Sequence, residues 1–166
     1  MDVVLLMAMT LDGKIARNSA EHVDWSGQAD KDYFVKMTRE AGVMIMGSKT
    51  YDTIGKPLPH RKNIVMSRNK ERTSDKENLV FTDQTPEAII VGLKSEGYEK
   101  VALVGGATIN SLFAAAKLIT EIHITVVPVL FGQGLSIFDT SLDMQLALIE
   151  NSLIGKDHLL LKYKVL

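Results

Sequence analysis

The feature that most restricts the fold of this chain is a set of short, unbroken apolar runs, each closed by a glycine or a small polar residue. Val3 to Met9, Val43-Met-Ile-Met-Gly47 and Asn63-Ile-Val-Met-Ser67 show no alternation of apolar and polar positions. A strand with one face in water alternates. A run that does not alternate predicts a strand covered on both faces, as in a parallel sheet held between helices. Asn78–Thr82, Lys100–Val104 and the longer Glu121–Val129 read as further strands.

Helical segments separate them. One begins near Ser26. Ser48 to Ile54 forms a short second helix, stopped by Gly55-Lys-Pro-Leu-Pro-His-Arg61 because each proline disfavours helix at the residue before it. Thr85 caps a third, with Pro86 in its first turn, and Ala107 to Lys117 makes a fourth. Leu146–Asn151 and His158–Val165, joined through Ile154-Gly-Lys-Asp157, predict a closing antiparallel hairpin. The fold class is therefore α/β: a central, mostly parallel sheet of about eight strands with a C-terminal antiparallel hairpin, flanked by about four helices.

Length and composition bound the function. At 166 residues, with 46% hydrophobic and 23% charged side chains, the chain is expected to form a single domain over residues 1–166. A net charge of -1 gives no electrostatic reason to expect nucleic acid or an anionic membrane. The absence of cysteine excludes disulfides, iron–sulfur clusters and thiolate zinc. His22, His60, His123 and His158 are scattered without ligand spacing, so no metal site is expected. The N-terminal run is about one strand long, has an acid at Asp2 and lacks a basic leader, which reads as a cytoplasmic protein with no signal peptide. Monomer and homodimer remain equally open.

Three features carry chemistry. Val101-Ala-Leu-Val-Gly105-Gly106 runs from a strand through paired glycines into a helix, where backbone can approach a pyrophosphate and free N–H groups face it. A tight strand-to-helix turn would need the same glycines. The three-glycine dinucleotide fingerprint is absent. Gly47-Ser-Lys-Thr50 is a second strand-to-helix junction, and Ser67-Arg68 ends the next strand. In a parallel sheet these ends share one edge, so Lys49, Ser67 and Arg68 can converge on a phosphate or simply be solvated there. Finally, Asp30 shares a helical stripe with Tyr33, Phe34 and Met37, which places an acid on the face that should be buried. The helix dipole accounts for an acid in a first turn, but not for that face.

In order and spacing these pieces resemble the dihydrofolate reductase family. The resemblance rests on Trp25, Asp30, Phe34 and Thr38, then Val43 to Thr50, Ile54 to Arg68, Val104-Gly105-Gly106 and Thr125. It implies NADPH as cofactor, dihydrofolate as substrate, and hydride transfer from nicotinamide C4 to pterin C6. Asp30 would accept two adjacent N–H groups of the pterin, Thr125 would hydrogen-bond to Asp30, and Trp25 would close the cleft and hold a water. Leu6, Ala8, Phe34, Ile54, Leu58 and Val104 would line the substrate pocket, with Tyr33 in the surrounding packing, and Arg61 would pair with the glutamate carboxylate. Ala8, Ile15, Gly47, Ser48, Lys49, Thr50, Ser67, Arg68, Val104, Gly105, Gly106, Ala107 and Thr108 would hold NADPH, with Leu11–Val23 as a lid. Lys31 and Asn110 depart from the family pattern.

Met9-Thr-Leu-Asp-Gly-Lys-Ile-Ala16, Leu103 to Asn110 and Val127 to Gly134 are also similar to the reductase domain of riboflavin biosynthesis, which implies a ribosylaminopyrimidine phosphate as the alternative substrate. A catalytically silent nucleotide-binding module is the alternative of another class.

Overall fold

The computed structural model describes residues 1–166. Its elements, in chain order, are β1 (Asp2–Thr10), α1 (Gly27–Ala41), β2 (Val43–Gly47), α2 (Ser48–Ile54), β3 (Lys62–Met66), β4 (Leu79–Thr82), α3 (Pro86–Ser95), β5 (Lys100–Leu103), α4 (Ala107–Ala115), β6 (Glu121–Val127), β7 (Leu146–Ile154) and β8 (His158–Val165). One eight-stranded sheet has the order β4-β3-β2-β5-β1-β6-β8-β7. The pairs from β4 to β6 are parallel, and β8 runs antiparallel to both β6 and β7.

The unbroken apolar runs behave as their composition demands. Every residue of β2 is buried, as are Val3 to Leu6 of β1 and Asn63 to Met66 of β3. One side chain in two faces α1, where Val4, Leu6, Met44, Met46, Val65, Met37 and Ala41 form a core. The alternate set faces α3 and α4, through Leu5, Ile45, Ile89, Leu93 and Phe113. A continuous run can be buried in this way only because helices cover both faces.

Local chemistry sets the helix ends. The Thr85 hydroxyl accepts from Ala88 N at 3.3 Å, and α1 and α2 each stop at a left-handed glycine, Gly42 and Gly55, where a residue with a side chain would be strained. The first hairpin strand is longer than its sequence suggests: β7 runs to Ile154 instead of stopping at Asn151. Asn151 and Ser152 pair with Leu161 and Leu160, so cross-strand pairing carries the strand through residues of low strand propensity. The fourth helix stops two residues before Lys117, which takes a positive φ of 53°.

Candidate active site

A pocket opens between α1 and the adjoining strands β1 and β6. Asp30, Tyr33 and Phe34 line it from the helix, Leu6, Met7 and Ala8 from β1, and His123 and Thr125 from β6. The concavity measures about 30 Å3, the room of one or two waters. Asp30 lies in the first turn of α1, where the helix dipole favours its charge, and no other side chain hydrogen-bonds or ion-pairs with its carboxylate. The acid on the apolar stripe is thus a free acceptor facing a largely apolar concavity.

Thr125 reaches the same pocket but makes no hydrogen bond to Asp30, contrary to the expectation from sequence. The two side chains approach from opposite walls, one from the helix and one from the sheet, and the gap between them is the pocket. Tyr33, expected in the packing, lines the pocket as well. So does His123, which sequence had grouped with histidines of no particular place. Strand alternation was the available signal, since Glu121, His123 and Thr125 lie at i, i+2 and i+4 of β6 and so share one face.

Next to the α1 turn that carries Phe34 and Thr38 the chain buries a guanidinium. Arg61 is 6% exposed; its Nε donates to Pro59 O at 3.0 Å and its Nη1 donates to the Thr38 hydroxyl. Thr38 in turn donates to Phe34 O at 2.7 Å. No carboxylate lies within ion-pair distance, and burial, with a smaller contribution from Arg39, holds the Arg61 pKa below the ordinary guanidinium value. The segment before it is pinned by Asn63. That buried amide accepts from Leu58 N at 2.9 Å and donates to Leu58 O and Arg61 O, both at 2.9 Å. Sequence reasoning passed over Asn63, because an asparagine opening an apolar strand gives no sign of what it will hold. Ile54, Leu58 and Phe34 pack together against the α1-side core.

The second cluster sits where β2, β3 and β5 end side by side. Gly47 pairs with Met66 in register, and Gly47 N donates to Gly105 O at 2.8 Å. Gly47-Ser48, Ser67-Arg68 and Gly105-Gly106 therefore reach one edge, as parallel strands require. The contact is close: a Cβ on Gly47 would stand 2.9 Å from Ile109 Cγ1, and one on Gly106 would stand 3.5 Å from the Thr50 hydroxyl. The starts of α2 and α4 are thus adjacent, and their first-turn N–H groups lack intrahelical partners. Lys49 and Arg68 are exposed and free of ion pairs, whereas Arg72 is engaged by Asp52 at 2.7 Å. Two helix starts and two free cations suit a phosphate-bearing nucleotide. Thr108 fits less well, since its hydroxyl donates to Asp139 at 2.5 Å. Val104 is buried beneath this edge.

The expected lid is tied down along much of its length. Ile15 N donates to Leu135 O and Leu135 N to Ala16 O, both at 2.8 Å. Asp12 accepts from Thr10 at 2.5 Å, from Gly132 N at 2.7 Å and from Phe131 N at 3.2 Å, and these bonds, the one from Thr10 foremost, hold its pKa below the usual carboxylate value. Trp25 meets Phe131 edge-on at 5.1 Å, with the Arg17 guanidinium 3.8 Å from the Phe131 centroid. Trp25 Nε1 is buried without a partner. Segments that resemble the riboflavin reductases, around Asp12 and Gly132, are therefore in contact with each other.

The edge suits the phosphates of a nucleotide and the pocket a small molecule. The sequence model described as dihydrofolate reductase matches residues 2–158, and the chain belongs to that family, which makes it an oxidoreductase of a class that works with a nucleotide-type cofactor. It is 32% identical over 122 residues to a bifunctional dihydrofolate reductase-thymidylate synthase of Paramecium tetraurelia, covering 73% of this chain but 25% of that protein. It is 28% identical over 125 residues to a dihydrofolate reductase of Buchnera aphidicola, covering 75% of this chain and 71% of the relative. In fold it is similar to a diaminohydroxyphosphoribosylaminopyrimidine deaminase/5-amino-6-(5-phosphoribosylamino)uracil reductase of Thermotoga maritima, with a TM-score of 0.82, 19% identity, and coverage of 99% of this chain and 56% of the other. No helix is long and apolar enough to cross a membrane.

Proposed function

We propose that residues 1–166 act as one unit that reduces 7,8-dihydrofolate to 5,6,7,8-tetrahydrofolate with NADPH, in the cytoplasm. The observation that carries this reading is a pair of charges with no protein counter-charge, Asp30 in the pocket and Arg61 tied through Thr38 to the Phe34 carbonyl. Asp30 is a carboxylate without a protein cation, and Arg61 is a buried cation without a protein carboxylate. A buried charge left unpaired is costly, so Arg61 calls for a partner on the ligand, while Asp30, half-buried at the pocket, is free to accept from one. Dihydrofolate has an amidine-like edge at one end and a glutamate carboxylate at the other. A ribosylaminopyrimidine phosphate could offer Arg61 its phosphate, which a guanidinium also binds, so the preference for dihydrofolate rests on Asp30, whose carboxylate suits two adjacent N–H groups of a pterin.

Asp30 accepts two N–H groups of the pterin in bidentate fashion and favours proton delivery to N5 through water. Phe34, Ile54 and Leu58 provide apolar walls, and the pocket widens between α1 and the β1–β6 face to admit the ring. Trp25 Nε1, an orphan donor, holds a water at the cleft mouth. Gly47 to Thr50, Ser67, Arg68, Gly105, Gly106 and Ala107 bind the cofactor backbone, with Lys49 and Arg68 at the 2'-phosphate. The cofactor, when bound, supplies the hydride from nicotinamide C4. Leu11–Val23 covers it as the lid, with Ile15 and Ala8 beside the ring.

The deciding experiment follows NADPH oxidation by the purified protein with dihydrofolate and, in parallel, with 5-amino-6-(5-phosphoribosylamino)uracil. Oxidation with dihydrofolate is the expected result. Oxidation with the pyrimidine phosphate alone would move the chain to riboflavin synthesis, and NADPH binding without turnover of either would make it a silent module.

A further inference from the structure

One wall of the pocket is a hydrogen-bonded series that the reaction outlined above does not use. His123 Nδ1 lies 2.8 Å from the Tyr33 hydroxyl, and its Nε2 lies 3.0 Å from Glu121 Oε2. Tyr33 and His123 both line the pocket beside Asp30. On the sheet His123 stands opposite Leu6 of β1 and Lys162 of β8.

The proton positions follow from the partners. A carboxylate only accepts, so the ring nitrogen facing Glu121 carries the hydrogen. Burial depresses the His123 pKa, outweighing the opposing pull of Glu121, and the ring is neutral near pH 7. A neutral imidazole protonated at Nε2 has a lone pair at Nδ1, so Tyr33 must donate. The phenol stays protonated, because burial, Glu150, Glu40 and Glu121 all raise its pKa. With its hydrogen turned to His123, the Tyr33 oxygen has only lone pairs left to offer a ligand.

We propose that Tyr33 is a substrate-binding acceptor whose direction is set by the positioning residue His123, and that it receives the second N–H of the exocyclic amino group whose first N–H goes to Asp30. Asp30 and Tyr33 then form an acceptor-only edge that takes a heterocycle with an amino group there and rejects one with a carbonyl oxygen. This inference rests on the pterin reading of the pocket. It also makes recognition depend on pH. An imidazolium must donate from Nδ1 to Tyr33, which turns the tyrosine hydrogen toward the ligand's own N–H and removes the acceptor. The charged groups that tune this titration are Glu121 on β6, Lys162 on β8, Lys100 at the start of β5 and Glu150 on β7.

The test measures KM and kcat for dihydrofolate across the histidine range in wild type, Tyr33→Phe, His123→Phe and His123→Asn, with the 15N spectrum of His123 in the free protein. The wild-type KM should rise about two- to tenfold, the worth of one neutral hydrogen bond, as His123 protonates, while kcat changes little. Tyr33→Phe and His123→Phe should show the raised KM already at neutral pH and no step. His123→Asn, whose side-chain oxygen can accept from Tyr33, should restore the neutral KM without the step. A Tyr33→Phe enzyme with wild-type KM and wild-type pH profile overturns the proposal, as does a spectrum showing hydrogen at Nδ1 in the neutral ring. Absence of dihydrofolate turnover in wild type removes the functional reading and the ligand assignment with it. The nitrogen spectrum still decides the direction of the Tyr33 bond.

Discussion

Arg61 is tied to α1 through Thr38: the guanidinium donates to the Thr38 hydroxyl, and that hydroxyl donates to Phe34 O at 2.7 Å. The residue proposed to hold the substrate's carboxylate is thus anchored to the turn of helix that presents Phe34 to the pocket. Thr38→Val keeps the shape and removes both bonds. It should lower stability by about 1–3 kcal/mol, the cost of a buried polar group left unsatisfied. It should also raise KM for dihydrofolate more than it lowers kcat. Thr38→Ser should recover most of both, and urea unfolding with steady-state kinetics reads the two effects separately.

Asp30→Asn keeps the volume and removes the charge. At neutral pH it should reduce turnover by about two to four orders of magnitude, the range of a general acid–base group. Near-normal turnover would show that the carboxylate neither orients the pterin nor assists its protonation.

Arg68→Ala should weaken NADPH much more than NADH, because only the former carries the 2'-phosphate. Equal losses in two fluorescence titrations would place Arg68 away from that group.

One substitution, glycine to alanine, should act with opposite signs at two positions. At Gly134 the new Cβ would stand 2.4 Å from Ala16 O, where φ is +154°, so the lid segment would have to part from residues 132–135. A loss of about 1–3 kcal/mol is expected. At Gly92, inside α3, the Cβ would meet nothing within 4 Å. Alanine should stabilise there by about 0.5–1 kcal/mol through helix propensity. Thermal melts of the two variants should move in opposite directions.

The Asp12 clasp should loosen in acid. Its folded pKa lies below the ordinary value of 3.8, so its contribution to stability is present above that value and is lost as pH falls through the folded pKa. The protection of Gly132 N and Phe131 N, each exchange rate taken relative to its intrinsic rate at the same pH, should fall below about pH 4 in wild type. In Asp12→Ala the same amides should be weakly protected at every pH.

The sequence by itself determined the layers and the shared edge. Unbroken runs such as Val43–Gly47 must be covered on both faces, and strands separated by helices must end together, so Gly47, Ser67 and Gly105 were bound to meet wherever the chain folded as a parallel sheet. Asp30 also announced itself, because a helical period fixes which residues share a face without reference to any partner. Three things were decided only by tertiary structure. His123 meets Tyr33 across 90 residues, Asn63 reaches back to Leu58 and Arg61, and Asp12 reaches forward to Gly132. The physical reason is the same in each case. Periodicity is a property of one element, whereas the partner of a buried polar group is set by which second element packs against the first, and a polar residue in isolation gives no sign of the distance to its mate.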